Sequence, residues 1–518
     1  MNQNSRTSNV IRNVIGGVGG QLFTSILAFV CRTFFIKLLS AEYLGVNGLF
    51  ANILSLLSLA ELGIGPAIVF SMYKPIKDND EEKVAKLMNF YKKAYRIIAL
   101  VVAICGLALV PLLPFLIKDT SNIENLNLIF VLILSNTAVS YLLAYKGSML
   151  NADQKAYVSV IFRNLFAVVQ NVAQIVVLII TQNFILYLVV QIITTFLANL
   201  VQAIYVNKKY PFLVKYKKLK IDKQEQKGIM KNVRGMMLHK VGGYVLNGTD
   251  SLLISKFVGI IVVGIYSNYL MIINLIKGFV SQLTGATSAS VGNLIASETK
   301  EKSYKVFNSM FFVYTWIYSF CFICFWVIFQ PFITLWIGKD YLLDDLVLFI
   351  VLFNFLLNGM QECINTFTSA TGLFWETRNK PILECVINLG VSILLAYYIG
   401  LPGVFIGTLA SFISTFWINP VLVFKRQFNQ KVVKYFLRMI LYVLITLGFA
   451  FGINYALGLI LTGNMLVSVV VRVLVCLVVP NALWILIFFK TQEFDYCKTL
   501  IKSVLKKFKK NKAVGKTV

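Results

Sequence analysis

Charge is what this sequence has least of. Only 14% of its 518 residues are Asp, Glu, Lys or Arg, against about 25% in an ordinary soluble domain. Histidine is nearly absent too: His239 stands alone, which excludes a metal site built on several imidazoles. The eight cysteines are scattered, and the closest pair, Cys321 and Cys324 in CFIC, lies in an apolar run where small buried thiols are ordinary. Also missing are a sizeable soluble segment, a metal-binding carboxylate motif in a long loop, and any zinc-finger, helix-turn-helix or RNA-binding pattern. A nucleic-acid partner is therefore not expected despite a formal net charge of +27. The glycines of GGVGG at 16–20 follow no expected β-strand, so they do not read as a dinucleotide-binding turn.

What fills the chain instead is apolar. Hydrophobic residues make up 58% and aromatics 14%, with a mean hydropathy of +0.76. Runs of roughly 20 apolar residues recur, each able to cross a hydrocarbon core about 30 Å thick. The sequence predicts an all-α polytopic membrane protein with fourteen spans, near 14–38, 46–70, 96–117, 125–146, 157–180, 183–206, 236–258, 262–285, 306–329, 345–368, 382–399, 403–424, 437–458 and 465–489. The first run has no convincing signal-peptide cleavage site and is expected to remain as a span.

The cations cluster in alternate connections. YKPIKDNDEEKVAKLMNFYKKAYR, VNKKYPFLVKYKKLKIDKQEQKGIMKNVR, FKRQFNQKVVKYFLR and the tail IKSVLKKFKKNKAVGK carry most of them, whereas the intervening connections show little beyond Lys118 and Lys339. Basic loops stay in the cytoplasm, so both termini are expected there.

An offset of 219 residues overlays FIKLLSAEYLGVNGLFANI (35–53) on ISKFVGIIVVGIYSNYLMI (254–272), matching Lys37 with Lys256, Gly45 with Gly264 and Asn13 with Asn232. Parallel repeats of six helices are one way in which transporters are built. The expected organisation is a six-helix lobe at 1–206, a basic cytoplasmic linker at 207–234 and a second six-helix lobe at 235–424. Two additional helices at 425–489 and a basic tail at 490–518 follow.

Charged groups inside spans are costly and usually face a bundle interior or aqueous cavity. Arg32 lies too deep in its run for end-snorkelling, leaving a central cavity or a structural ion pair as its two readings. Lys37 and Lys256 sit near the outer ends of their spans and fit either a basic rim of a shared cleft or snorkelling. Asp250 precedes Lys256 by six residues, a spacing that makes no i,i+4 pair, so it needs another partner, a proton or water. Asn247 and Thr249 beside it suit sugar hydroxyls or helix–helix contacts equally. Lys277 joins the substrate-binding candidates. Glu61, Pro66, Asp250, Glu362 and Glu384 are candidates for gating or ion coupling, with Pro66 read as a bend beside Glu61 or as ordinary curvature. Arg472 is a further charge within a span. Arg96 and Arg163 lie near cytoplasmic ends, where topology explains them.

Several runs carry a resemblance. RTFFIKLLSAEYLGVNGLFANILSLLSLAELGIGPAI at 32–68, GTDSLLISKFVGIIVVGIYSNYLMI at 248–272, PFITLWIGKDYLL at 331–343 and TGLFWETRNKPILECVINLGVSILLAYYIGLPGVFIGTLAS at 371–411 resemble the polysaccharide transporter family. These are oligosaccharide flippases of the MATE-related MOP exporter superfamily. The resemblance spans roughly residues 8 to 490. It implies two six-helix lobes around a cavity open alternately to either side of a bacterial cytoplasmic membrane. It further implies undecaprenyl-pyrophosphate-linked oligosaccharides as cargo, destined for capsule, exopolysaccharide, O-antigen or teichuronic-type polymers. No cofactor is implied, only an H+ or Na+ gradient or the membrane potential; glycosyltransferases and a polymerase are implied neighbours. Arg32 is the family-like candidate for meeting the pyrophosphate. The lipid II flippase branch also has fourteen helices, and a MATE-like cation-coupled antiporter shares the architecture, so both stay open at this point. A membrane glycosyltransferase or polymerase is disfavoured by the missing soluble domain.

Overall fold

A computed structural model describes residues 20, 23–61, 64–118, 123–373, 375–461, 463–496 and 498–499. Among them there is no β-strand; regular structure is helical throughout. In hydrocarbon every backbone N–H and C=O must be satisfied within its own segment, and a helix does this for any apolar sequence long enough to cross.

In chain order the helices are α1 (residues 23–38), α2 (Ala41–Leu57), α3 (Ile64–Lys77), α4 (Glu81–Leu109), α5 (Leu113–Leu116), α6 (Leu126–Ala144), α7 (Gly147–Ala152), α8 (Ala156–Thr181), α9 (Phe184–Lys209) and α10 (Phe212–Lys215). They continue as α11 (Lys223–Phe257), α12 (Ile260–Ser297), α13 (Lys300–Trp336), α14 (Asp345–Ala370), α15 (Lys380–Ile399), α16 (Leu401–Thr415), α17 (Ile418–Val423), α18 (Val433–Ile460) and α19 (Met465–Phe488).

Among the described residues eleven helices are long and apolar enough to cross a membrane, not the expected fourteen. The three others have separate causes. The span near 14–38 lies partly outside the described residues. The span near 46–70 is broken: α2 ends at Leu57, a 3-10 turn runs from Ser58 to Glu61, and α3 starts at Ile64. Seventeen residues in α2 reach only about 26 Å at 1.5 Å each. The span near 236–258 lies within the 35-residue α11, but His239, Lys240, Asn247, Asp250 and Lys256 make this stretch less apolar than the eleven. Much of the segment expected as a linker is also helical, since it holds the end of α9, all of α10 and the start of α11.

The chain divides into two compact units, Met1–Leu275 with Ala396–Val404, and Ile276–Leu395 with Phe405–Val518. In the first unit α4 meets α6 where Gly106 leaves no room for a side chain: a Cβ there would lie 2.4 Å from Leu134. Helices α8 and α9 are joined by Gln202, whose Nε2 donates to Ser159 Oγ at 2.8 Å.

In the second unit α13 is the common partner of α14, α18 and α19. Phe307 on α13 is fully buried among Phe367, Phe424 and Phe428, whose ring centroids lie 5.2, 5.4 and 5.1 Å from its own. Polar bonds fasten the last two helices to α13: Thr446 Oγ1 donates to Ser319 Oγ at 2.7 Å, and Trp316 Nε1 to Asn481 Oδ1 at 3.0 Å.

Other faces are exposed and apolar at helical spacing. Ile97, Leu100 and Ile104 on α4, Ile161, Leu165 and Val169 on α8, and Leu437, Leu441 and Leu444 on α18 all recur every three or four residues. Such stripes suit lipid, which makes this a multi-pass membrane protein.

Candidate functional site

The first unit gathers its polar groups around a contact between two glycines. Gly45 on α2 and Gly264 on α12 bring the backbones together; a Cβ on Gly45 would lie 2.0 Å from the Ile260 carbonyl oxygen, and one on Gly264 2.6 Å from that of Ala41. Only glycine permits this approach. One turn further, α12 presents Ser267 and Asn268 to Arg32 of α1. Arg32 Nε donates to Asn268 Oδ1 at 3.0 Å, its Nη2 donates to Ser267 Oγ, and Ser267 Oγ donates onward to the Gly264 carbonyl at 2.7 Å.

These partners are neutral. Among the described residues Arg32 is in no ion pair, so its charge is oriented but not cancelled. Asn268 is fully buried, and its Nδ2 has no hydrogen-bond partner. A buried donor left open beside a cation is a costly arrangement unless something else fills it. Along α2, Asn52 Nδ2 donates to Ser251 Oγ of α11 at 2.7 Å. Next to Ser251 stands Asp250, whose Oδ1 is buried without a partner. The unit thus holds a cation on α1 and a carboxylate on α11, and the two are not paired.

A second polar chain starts at the break between α2 and α3. Ser148 Oγ donates to Tyr91 OH at 3.3 Å, Tyr91 OH to Tyr95 OH at 3.1 Å, and Tyr95 OH to Glu61 Oε1 at 2.5 Å. Both tyrosines are buried. Each of these bonds runs towards Glu61, whose carboxyl oxygen is the terminal acceptor of the chain. Pro66, expected as a bend beside Glu61 or as ordinary curvature, stands near the start of α3 as described, Ile64–Lys77.

The remaining candidates scatter. Lys37 is exposed at the end of α1. Lys256 Nζ donates to the Phe115 carbonyl at 2.6 Å and lies 3.8 Å from the centre of the Phe115 ring, capping the end of α5. Lys277, in the second unit, lies 5.8 Å from the Phe355 ring centre and feels the charge of Glu362. Glu362 is half-buried, with Tyr314 and Tyr318 in its field. Glu384 is paired with Lys380 at 3.4 Å and accepts from Thr415 Oγ1 at 2.7 Å. The side chain of Asn247 lies outside the described residues. Arg32 is thus bound to α12, Asp250 stands beside the α2–α11 bond, Glu61 ends a separate hydrogen-bond chain, and Lys277 with Glu362 forms a further group.

Sequence reading missed Ser267, Asn268, Asn52, Tyr91 and Tyr95. The signal was present as SNY within an apolar run and as two tyrosines four residues apart on α4. Among the described residues no group of three His, Cys, Asp or Glu side chains is placed to hold a metal ion.

The pattern of the family described as "Polysaccharide biosynthesis protein" matches residues 10–289, more than half of the chain. Among curated proteins none matches by sequence. Solved structures do. The inward-facing multidrug resistance MATE transporter of the MOP superfamily is 16% identical with a TM-score of 0.62, covering 76% of this chain and 93% of that one. The lipid II flippase MurJ in an inward closed conformation is 15% identical with a TM-score of 0.61, covering 92% and 100%. A mutant of the Vibrio cholerae MATE transporter VcmN is 16% identical with a TM-score of 0.55, covering 83% and 99%. At such identities the likeness is one of fold. The family match covers more than half of the sequence, and the chain belongs to the polysaccharide biosynthesis protein family.

Proposed function

We propose that this protein is a flippase that moves undecaprenyl-pyrophosphate-linked oligosaccharide units across the cytoplasmic membrane by alternating access, supplying the assembly of a cell-surface polysaccharide. The observation that carries the reading is Arg32: a cation inside the apolar part of the chain, held by Ser267 and Asn268 and in no ion pair. An uncancelled guanidinium offers a pyrophosphate charge-assisted hydrogen bonds that a neutral site lacks. Membership of the family supports the substrate class. The contact of Gly45 with Gly264, two positions matched by the 219-residue overlay, supports repeats related by an axis between them. The basic connections support cytoplasmic termini. Asp250 and Glu61 are the groups best suited to couple transport to a proton or sodium gradient; glycosyltransferases and a polymerase are the partners that such cargo requires.

A second reading, cation-coupled export of small molecules, is favoured by the unpartnered Oδ1 of Asp250. The uncancelled charge at Arg32 disfavours cationic drugs. Proteoliposomes separate the two. The purified protein should expose a labelled lipid-linked oligosaccharide to an enzyme outside the vesicle. Gradient-driven movement of a soluble cation, with no exposure of cognate glycolipid where a control flippase works, would replace the first reading by the second. Lipid II serves as a parallel cargo and decides between the two flippase branches.

A further inference from the structure

Four cations of the first unit converge with no carboxylate among them. Lys92 and Arg96 stand one turn apart on α4, and the charges of Arg96 and Lys217 both act on Lys92. The charge of Lys92 acts in turn on Lys146, which opens α7. None of the four is in an ion pair among the described residues. The retention of basic loops on one side of a membrane accounts for the number of cations here. It does not account for their being drawn together.

The drawing-together is built. Asn89, one turn before Lys92 and Lys93, donates through Nδ2 to the carbonyls of Tyr216 and Leu219, each at 2.9 Å. That clasp fixes the segment carrying Lys217 against α4, beside a helix face already positive. Lys146 Nζ is held in place by Asn207 Oδ1 at 2.6 Å and by the Tyr145 ring, 5.5 Å from its centre. Earlier on α4 the same residue type is treated differently: Lys83 pairs with Glu225 at 3.3 Å and Lys86 with Glu82 at 2.8 Å. Carboxylates are thus supplied at 83 and 86 and withheld at 92 and 96. Burial first, and then the charge of Lys92, push the Lys146 ammonium down to about 8. An anion would reverse that second effect.

Position selects the kind of anion. Immediately after Arg96 the exposed residues of α4 turn apolar, with Ile97, Leu100, Val101 and Ile104 between 44% and 60% exposed. The cluster therefore lies at the level where hydrocarbon gives way to headgroups, on the side with the basic connections. We infer that Lys92, Arg96, Lys146 and Lys217 form a binding site for the phosphate headgroup of an anionic membrane lipid. This site does not depend on the proposed cargo: its chemistry requires only a phosphate at the interface, and it is separate from the Arg32 cluster.

The full-length protein in phosphatidylcholine nanodiscs provides the test, with trace phosphatidylglycerol or phosphatidylcholine bearing the same headgroup-proximal photocrosslinker. Adducts are mapped by mass spectrometry. Phosphatidylglycerol should label peptides containing residues 92–96 and 216–219, and phosphatidylcholine should leave only background. Combining Lys92→Gln, Arg96→Gln and Lys146→Gln should lower the adducts by about a hundredfold, each interfacial cation contributing about 1 kcal/mol. Combining Lys83→Gln and Lys86→Gln should leave them unchanged. If the triple variant is not monodisperse, Lys217→Gln on its exposed segment serves alone, with an expected loss of about fivefold. Acylation of Lys146 followed against pH gives a readout independent of crosslinking; its midpoint should rise above about 8 with phosphatidylglycerol and stay put with phosphatidylcholine. Equal labelling by both lipids, adducts indifferent to the substitutions, or full displacement by millimolar inorganic phosphate each overturn the assignment to a lipid.

Discussion

Arg32 and Arg472 face the same problem and meet it differently. Both are arginines in apolar helices, and both are held by neutral oxygens rather than carboxylates. Arg472 on α19 reaches three of them: Asn454 Oδ1 on α18 at 2.9 Å, the Val327 carbonyl on α13 at 3.1 Å, and Ser468 Oγ one turn back at 3.4 Å. It is only 9% exposed, and its bonds link α19 to α18 and to α13, the helix on which both of them pack. Arg32 has two side-chain partners on one helix, remains half-buried, and leaves the amide of Asn268 unsatisfied. A guanidinium carries five N–H donors, so Arg32 keeps more of its capacity in reserve. Depth within a hydrophobic run does not separate a fastener from a binding group. The count of partners, and what those partners still lack, does.

The contrast breaks most severely if the scaffold beneath Arg32 is removed. Gly45→Leu places a side chain against the Ile260 carbonyl, where even a Cβ would sit 2.0 Å away. Backbone cannot give as a flexible side chain does, so α2 and α12 must part. Overpacking of this kind costs about 1–3 kcal/mol and often more. The expected outcome is loss of monodisperse protein on size-exclusion chromatography. A stable, active Gly45→Leu protein means that Ser267 and Asn268 are not held by that contact.

Next in size is the pair itself. Arg472→Ala leaves the Val327 carbonyl and Asn454 without their donor, a loss of about 2–4 kcal/mol, read as lower membrane abundance and an earlier thermal transition. Arg32→Ala should lose transport of lipid-linked oligosaccharide by about a hundredfold, from charge-assisted bonds of about 1.5–3 kcal/mol each, with abundance close to that of the parent. Arg32→Lys should recover part of the rate, because the charge returns without the planar fork. Matching stability losses in the two alanine variants erase the distinction.

How much of this could be read without coordinates depends on periodicity and on polarity separately. Eleven expected spans correspond to the eleven apolar helices, because length and hydropathy are properties of the segment alone. The 3-10 turn at Ser58–Glu61 was not legible: SLAE and its flanks are apolar enough to pass as mid-span, and the partner of Glu61 is Tyr95, 34 residues away. Arg32 was legible as anomalous, but its partners were not, since Asn268 lies 236 residues further along. Lys256 shows the opposite error. Its alignment with Lys37 invited one shared role, yet Lys256 caps α5 whereas Lys37 is exposed. An overlay matches positions in the chain; the neighbour that gives a lysine its role comes from elsewhere in the fold.

The smallest expected effect concerns Tyr95→Phe, which extends the comparison from cations to Glu61. The substitution keeps the ring and its edge-to-face packing on Tyr91, 4.6 Å between centroids, and removes only the oxygen that donates to Glu61. Glu61 then loses its donor and the Tyr91 hydroxyl its acceptor, while Ser148 still donates to Tyr91. One hydrogen bond to a charged group is worth about 1.5–3 kcal/mol where nothing replaces it, and less where water does. If the hydroxyl chain holds the Ser58–Glu61 turn in one state, transport should fall about fivefold while the thermal transition moves by no more than a few degrees. Glu61→Gln is the matched control: its amide oxygen still accepts from Tyr95, so the break stays pinned while the titratable proton site is gone. Transport that stays dependent on the ion gradient in Glu61→Gln, yet is slow in Tyr95→Phe, identifies the residue as a latch. The reverse pattern identifies it as the coupling site, and a carboxylate would then complement Arg32 in function without ever pairing with it.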